Sequence, residues 1–161
     1  MLHKDSAMLF ETPEATDERM MRIALEEARE AARRDEVPIG AVIAVNGRVI
    51  AKAHNLTETL GDVTAHAEML AITAAADALG GKYLPDCTLY VTVEPCPMCA
   101  GAIGWAQIGR VGWGADDPKR GFRRFSAGEH GPLHPKATVA TGVLAGEAAA
   151  IMREFFRSKR R

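Results

Sequence analysis

A chain of 161 residues, 47% hydrophobic and 25% charged, is long enough to bury one sizeable core and short enough not to divide into several domains. No apolar run approaches the ~20 residues of a membrane helix, and Asp5, Glu11, Glu14 and Asp17 fall where a signal-peptide core would lie, so a cytoplasmic protein is expected. The net charge of −1 conceals an imbalance: residues 1–117 carry 10 basic and 18 acidic side chains, residues 118–161 carry 10 and 3.

Residues 1–16 are expected to form a disordered lead and residues 17–161 a single domain. Thr16 or Asp17 is placed to cap a helix running to about Arg34, with Met20, Ile23, Ala24, Glu27 and Ala31 on one face. Asn46-Gly47, the strongest short turn signal, separates two strands over Ile39–Val45 and Arg48–His54. A second helix is predicted from about Ala65 to Leu79, where Gly80-Gly81 stops it, then a strand over Thr88–Val93, a helix over Pro97–Ala106 and a strand over Val111–Gly114. Thr138–Val143 offers a fifth strand, and a basic helix follows from Gly146 to about Lys159. A hairpin followed by strand–helix alternation predicts an α/β fold, a mixed sheet of about five strands with helices on both faces.

Two short segments carry the chemistry. His66-Ala67-Glu68 and Pro95-Cys96-Pro97-Met98-Cys99 together supply one imidazole, two thiols and a carboxylate not needed as a ligand. Three protein ligands with an open fourth position describe a catalytic zinc site, whereas a structural one is closed by four. His66 falls at the start of the second predicted helix, and Cys96 and Cys99 straddle the start of the third, so both helix dipoles favour thiolate at the metal. Such a zinc would be formally neutral, and its water would need a base; Glu68 is the candidate. A structural zinc, a redox pair or a surface carboxylate are the blander readings, and they leave the combination unexplained. His-x-Glu with Pro-Cys-x-x-Cys is the signature of the zinc nucleobase deaminases. Cys87 and the histidines at 3, 130 and 134 are expected to be core or surface residues, and with only three cysteines no disulfide framework is expected.

The basic excess is concentrated in two knots: Lys119, Arg120, Arg123 and Arg124 with Phe122 and Phe125, and Arg157, Lys159, Arg160 and Arg161 after Phe155-Phe156. Interleaved cations and rings suit a single-stranded nucleic acid, cations meeting phosphates and rings stacking on unpaired bases. A solvated loop and a frayed helix end would look the same.

From about Met21 onward the chain resembles the bacterial tRNA adenosine deaminases of the cytidine-deaminase-like superfamily. The matching stretches include Glu36-Val37-Pro38-Ile39-Gly40-Ala41-Val42, His54-Asn55, Thr64-Ala65-His66-Ala67-Glu68, Leu89 to Cys96 and Phe155-Phe156-Arg157. The resemblance implies a homodimer of three-layer αβα sandwiches, zinc on His66, Cys96 and Cys99, proton transfer by Glu68, and inosine formed at the wobble position of an anticodon stem-loop. It also implies that Asn55 and the Ala67 amide meet the flipped base and that Asp117 meets the ribose. Gly104-Trp105-Ala106-Gln107 stands where the tRNA enzymes often carry a His-Ser pair, and this tryptophan is similar to that of bacterial guanine deaminases. Free guanine is therefore the alternative substrate, and a non-enzymatic zinc-stabilised RNA-binding module a more distant one.

Overall fold

A computed structural model describes residues 11–128 and 130–160. Helix α1 (Pro13–Arg33) begins earlier than the sequence predicts, because Thr12 rather than Thr16 or Asp17 caps it: its hydroxyl accepts the Ala15 amide at 3.1 Å, with Pro13 in the first turn. The segment expected as a disordered lead is therefore helical from Pro13, and residues 1–10 lie outside the described part. Strands β1 (Gly40–Val45) and β2 (Arg48–His54) form the predicted hairpin, with Asn46 at φ 50° and Gly47 at φ 74°, the left-handed pair a tight turn of matching twist requires.

A four-residue helix α2 (Thr57–Leu60), absent from the sequence reading, precedes α3 (Ala67–Leu79), which Gly80 ends in the left-handed conformation. Then come β3 (Thr88–Val93), α4 (Pro97–Trp105), β4 (Arg110–Ala115), a 3₁₀ turn over Phe122–Phe125, β5 (Thr138–Ala140) and α5 (Ala145–Lys159). The fifth strand stops short of the expected Val143 because Gly142, at φ 72°, turns the chain away.

The strands lie in the order β2-β1-β3-β4-β5, with β1 antiparallel to both its neighbours and β3, β4 and β5 parallel. Period-2 alternation divides their side chains between two cores. Ala41, Ile43, Leu89, Val91 and Trp113 face α3 and α4, meeting Ala71, Ala75 and Ile103. Val42, Ala44 and Tyr90 face the other way onto Met20, Met21 and Ala24 of α1 and Ala148 of α5. The result is the expected αβα sandwich. Gly40 is needed where β1 passes under α1, since a Cβ there would lie 2.0 Å from the Ala24 carbonyl oxygen.

Asp17, displaced from the cap, serves the second core. Its carboxylate accepts both Arg110 guanidinium nitrogens at 2.7 Å and the Tyr90 hydroxyl at 2.8 Å, tying α1 to the sheet. Desolvation pulls the Asp17 carboxyl up, but these bonds outweigh it and hold it below its ordinary value of 3.8. Its stabilising contribution is complete above that value and is lost as pH falls through the lower folded one. Asp17→Asn is expected to cost about 2 kcal/mol at neutral pH. Urea midpoints of the two proteins should converge in acid; a gap that persisted there would contradict the ion pair.

Candidate active site and metal centre

Because β1 is antiparallel to both β2 and β3, strands β2, β3 and β4 all end on one side of the sheet, where open α/β sheets bind ligands. Asn55 follows β2, Cys96 follows β3 and Asp117 follows β4, while Val37 and Ile39 lead into β1 at the same end. Topology alone thus gathers residues more than sixty positions apart.

His66 occupies the N-cap of α3 and Cys96 that of α4, with Cys99 in the first turn of α4. Their ligating atoms lie within 4.8 Å of one another. The His66 Nδ1 is 3.7 Å from Cys96 Sγ and 3.4 Å from Cys99 Sγ. Zinc bonds of about 2.0 Å to nitrogen and about 2.3 Å to sulfur at a tetrahedral angle require an N···S separation of about 3.5 Å. The donor set therefore fits a zinc ion in type, number and spacing, and no further His, Cys, Asp or Glu joins it among the described residues. Cys87, buried at 2% exposure, stands apart from it.

The electrostatics of the cluster fit a cation. A hydrogen bond from the Cys99 thiol, with help from His66, lowers the Cys96 thiol to about 4 despite its burial. The same bond to Cys96, together with burial, pushes the Cys99 thiol far up, and the Cys96 sulfur raises His66. Two adjacent thiols do not both ionise readily without a positive charge between them, so metal binding releases protons.

Glu68, in the first turn of α3, is 3% exposed, and its Oε1 has no hydrogen-bond partner. Desolvation pushes its carboxyl up to about 7. An unpartnered buried carboxylate costs stability and is retained where it takes part in chemistry; a value near neutral suits a group that both accepts and returns a proton.

Two other buried carboxylates shape the walls, and sequence reasoning missed both. Glu36, fully buried, accepts the Glu58 amide at 2.9 Å and the Thr59 amide and hydroxyl at 2.7 and 2.6 Å. It pins α2, and with it Asn55, whose side chain donates to the Val37 carbonyl at 3.3 Å and accepts the Thr57 amide at 3.1 Å. Glu94 accepts the Asp117 and Arg123 amides, each at 3.2 Å, and so ties the loop after β4 to the turn that carries Cys96. The early signals were that both lie in stretches matching the family and that Glu94 stands between Val93 and Pro95; Glu36, after Arg33-Arg34-Asp35, reads locally as one more surface charge.

These elements enclose a cavity of about 1110 Å³, at the upper end of small-molecule sites. Its lining includes His66, Ala67 and Glu68 from α3, Asn55 and Thr57 from the β2–α2 loop, and Asp117, Lys119 and Arg120 from the loop after β4. Helix α5 closes it with Met152, Arg153, Phe156, Arg157 and Arg160. The structure thus brings together Asn55, Ala67, Glu68, Asp117, Lys119, Arg120, Arg157 and Arg160. Three of the singled-out basic residues are engaged outside that lining. Arg123 pairs with Glu94 and Asp116, Arg124 donates to the Lys119 carbonyl, and Lys159 pairs with Asp35. Arg153 was not anticipated, because its place in the lining depends on how α5 packs.

Residues 14–115 match the model of the cytidine and deoxycytidylate deaminase zinc-binding region. The chain belongs to this deaminase family. A tRNA-specific adenosine deaminase of Agrobacterium fabrum is 51% identical over 87% of this deaminase and 93% of its own length. One from Bacillus subtilis is 46% identical over 90% and 91%. A structure from studies of A-to-I editing by tRNA:A34 deaminases superposes with a TM-score of 0.76 at 49% identity, covering 83% of this chain and 98% of the other. The guanine deaminase of Nitrosomonas europaea superposes at 0.72 with 28% identity, over 89% and 84%.

Two results are expected. Cys87→Ser should leave zinc stoichiometry unchanged in elemental analysis, while Cys99→Ser should abolish binding; zinc loss from the Cys87 variant would show a misassigned ligand. In metal-free protein the raised Glu68 carboxyl makes stability complete below the ordinary value of 4.5 and lost as pH rises through about 7. Glu68→Gln should then be neutral in mild acid and stabilising in mild alkali. No alkaline gain in a denaturation series would show that the carboxylate is solvated.

Proposed function

We propose that this deaminase converts adenosine to inosine at the wobble position of a tRNA anticodon, with one zinc ion per chain held by His66, Cys96 and Cys99. Cations line a cavity whose buried end is a deamination centre: Lys119, Arg120, Arg153, Arg157 and Arg160 surround the approach to Glu68. A free base carries no phosphate for five cations to meet, whereas an anticodon loop presents phosphates on either side of its flipped base.

Bound in its site, the zinc ion supplies Lewis acidity that makes water a nucleophile near neutral pH. Glu68 takes one proton as water attacks C6 of the purine and passes it to the ring nitrogen, then takes the second from the hydroxyl left on C6 and passes it to the departing amine, so that one C–O bond forms, one C–N bond breaks and ammonia leaves. In the metal-free protein burial raises that carboxyl, which favours the proton-bearing form the return steps need. Asn55 keeps one amide hydrogen and one lone pair for the base edge after its two internal bonds. The Asp117 Oδ1 already accepts the Lys119 and Arg120 amides at 3.1 and 3.0 Å, which leaves Oδ2 for a ribose hydroxyl. Ala67, buried between His66 and Glu68 in the cavity lining, would offer its backbone amide to the base.

A homodimer fits the outer face of α4, where Met98, Gly101, Ala102 and Trp105 form an apolar stripe at helical spacing and Trp105 is 85% exposed. Reduced cysteines fit a cytoplasmic enzyme. Trp105→Glu should shift the protein to monomer in sedimentation; an unchanged dimer would place the interface elsewhere.

The deciding assay offers the zinc-loaded protein a wobble-adenosine anticodon stem-loop and free guanine side by side. Inosine in the RNA, slow or absent guanine hydrolysis, and loss of turnover but not of zinc in Glu68→Gln are expected. Brisk guanine hydrolysis with no inosine would overturn the tRNA reading.

A further inference from the structure

The loop after β4 places Asp117, Lys119 and Arg120 in the cavity lining, yet Pro118, Lys119 and Arg120 are exposed. Something must hold it. Its anchor is the side chain of Glu94, 5% exposed, whose Oε1 accepts the Asp117 amide at 3.2 Å and the Arg123 guanidinium at 3.0 Å while Oε2 accepts the Arg123 amide at 3.2 Å. The loop closes tightly on this carboxylate: a Cβ on Gly121 would lie 2.1 Å from Glu94 Oε2.

Arg123 completes the clamp. Its guanidinium also meets Asp116 at 2.8 Å and lies 5.0 Å over the Trp113 ring, whose indole N–H in turn donates to Asp116 at 2.9 Å. Phe122, fully buried, meets Trp113 edge-on at 5.6 Å, and its amide donates to the Pro95 carbonyl at 2.9 Å, one residue before Cys96. Both ends of the segment are therefore fastened to the turn that carries a metal donor. With two carboxylates and an aromatic face around it, the Arg123 charge is already matched and poorly placed to attract a phosphate.

We propose that Glu94 and Arg123 are positioning residues that fix the loop so that Lys119 and Arg120 meet the phosphates flanking the target nucleotide, and that Arg123 itself contacts no phosphate. This assignment rests on the RNA reading of the site for its consequence, but not for the clamp itself.

The test has two arms on the zinc-loaded full chain. Hydrogen exchange requires no RNA: Glu94→Gln and Arg123→Met should each speed exchange of the amides between 117 and 123 by about tenfold or more while those of β1 and β3 stay protected. Unchanged exchange in both variants would overturn the clamp whatever the substrate is. In the second arm, binding and turnover of the stem-loop are followed over a salt series. Both variants should raise KM about tenfold with kcat nearly unchanged, and the double variant should be no worse than either single one. The salt slope of Arg123→Met should equal that of the parent, whereas Arg120→Met should lower it by roughly 0.7 to 0.9. A comparable fall for Arg123→Met would make it a phosphate contact and overturn the assignment. A parent protein that neither binds nor edits the stem-loop would instead defeat the RNA reading, and the exchange arm would still decide the clamp. Because Arg123 is an exposed side chain, its variant keeps the test open if Glu94→Gln fails to fold.

Discussion

Placing two thiols and an imidazole within 4.8 Å of one another, with a buried carboxylate two residues from the imidazole, is electrostatically costly, and the rest of the molecule is arranged to make it tolerable. Each thiolate added repels the next, and Glu68 has one oxygen with no partner at all. The fold counters this with the N-termini of α3 and α4, which converge on the cluster and supply partial positive charge where negative charge must collect. A dipositive ion held by the three donors would complete the balance. The sheet order follows from the same requirement: only with β1 reversed between β2 and β3 do three strand ends deliver Asn55, Cys96 and Asp117 to one place.

Three buried glutamates then perform three separate tasks. Glu68 has one oxygen without a partner and is raised by burial, which suits a proton carrier. Glu36 is saturated with donors from α2, and those bonds outweigh its desolvation and hold it below the usual carboxylate range. Glu94 is saturated by the opposite wall. A satisfied buried carboxylate organises backbone, whereas an unsatisfied one does chemistry, and the cavity lies between examples of both.

The chemical core of the site was legible because its residues are close in sequence and because metal ligation demands particular atom types at particular spacings: His66 with Glu68, Cys96 with Cys99. The hairpin was legible for a similar reason, since Asn46-Gly47 is a local backbone constraint. What escaped was set by tertiary packing. Asp17 reads as a cap in isolation, yet it is drawn into the helix interior because Arg110, ninety-three residues away, offers a bidentate partner. Arg153 reads as one more surface cation until α5 packs against the sheet and turns that face toward the cavity. The basic knots were visible as charge, but charge alone does not separate Arg120, in the cavity lining, from Arg123, matched by Glu94 and Asp116.

Three protein donors, one nitrogen and two sulfurs, should hold zinc with a fourth position open beside Glu68. An X-ray absorption spectrum at the zinc edge of the purified protein measures this directly. Two sulfur scatterers at about 2.3 Å and two nitrogen or oxygen scatterers at about 2.0–2.1 Å, one of them exchangeable solvent, are expected. A closed shell with a third sulfur, or with every donor supplied by protein, would contradict it.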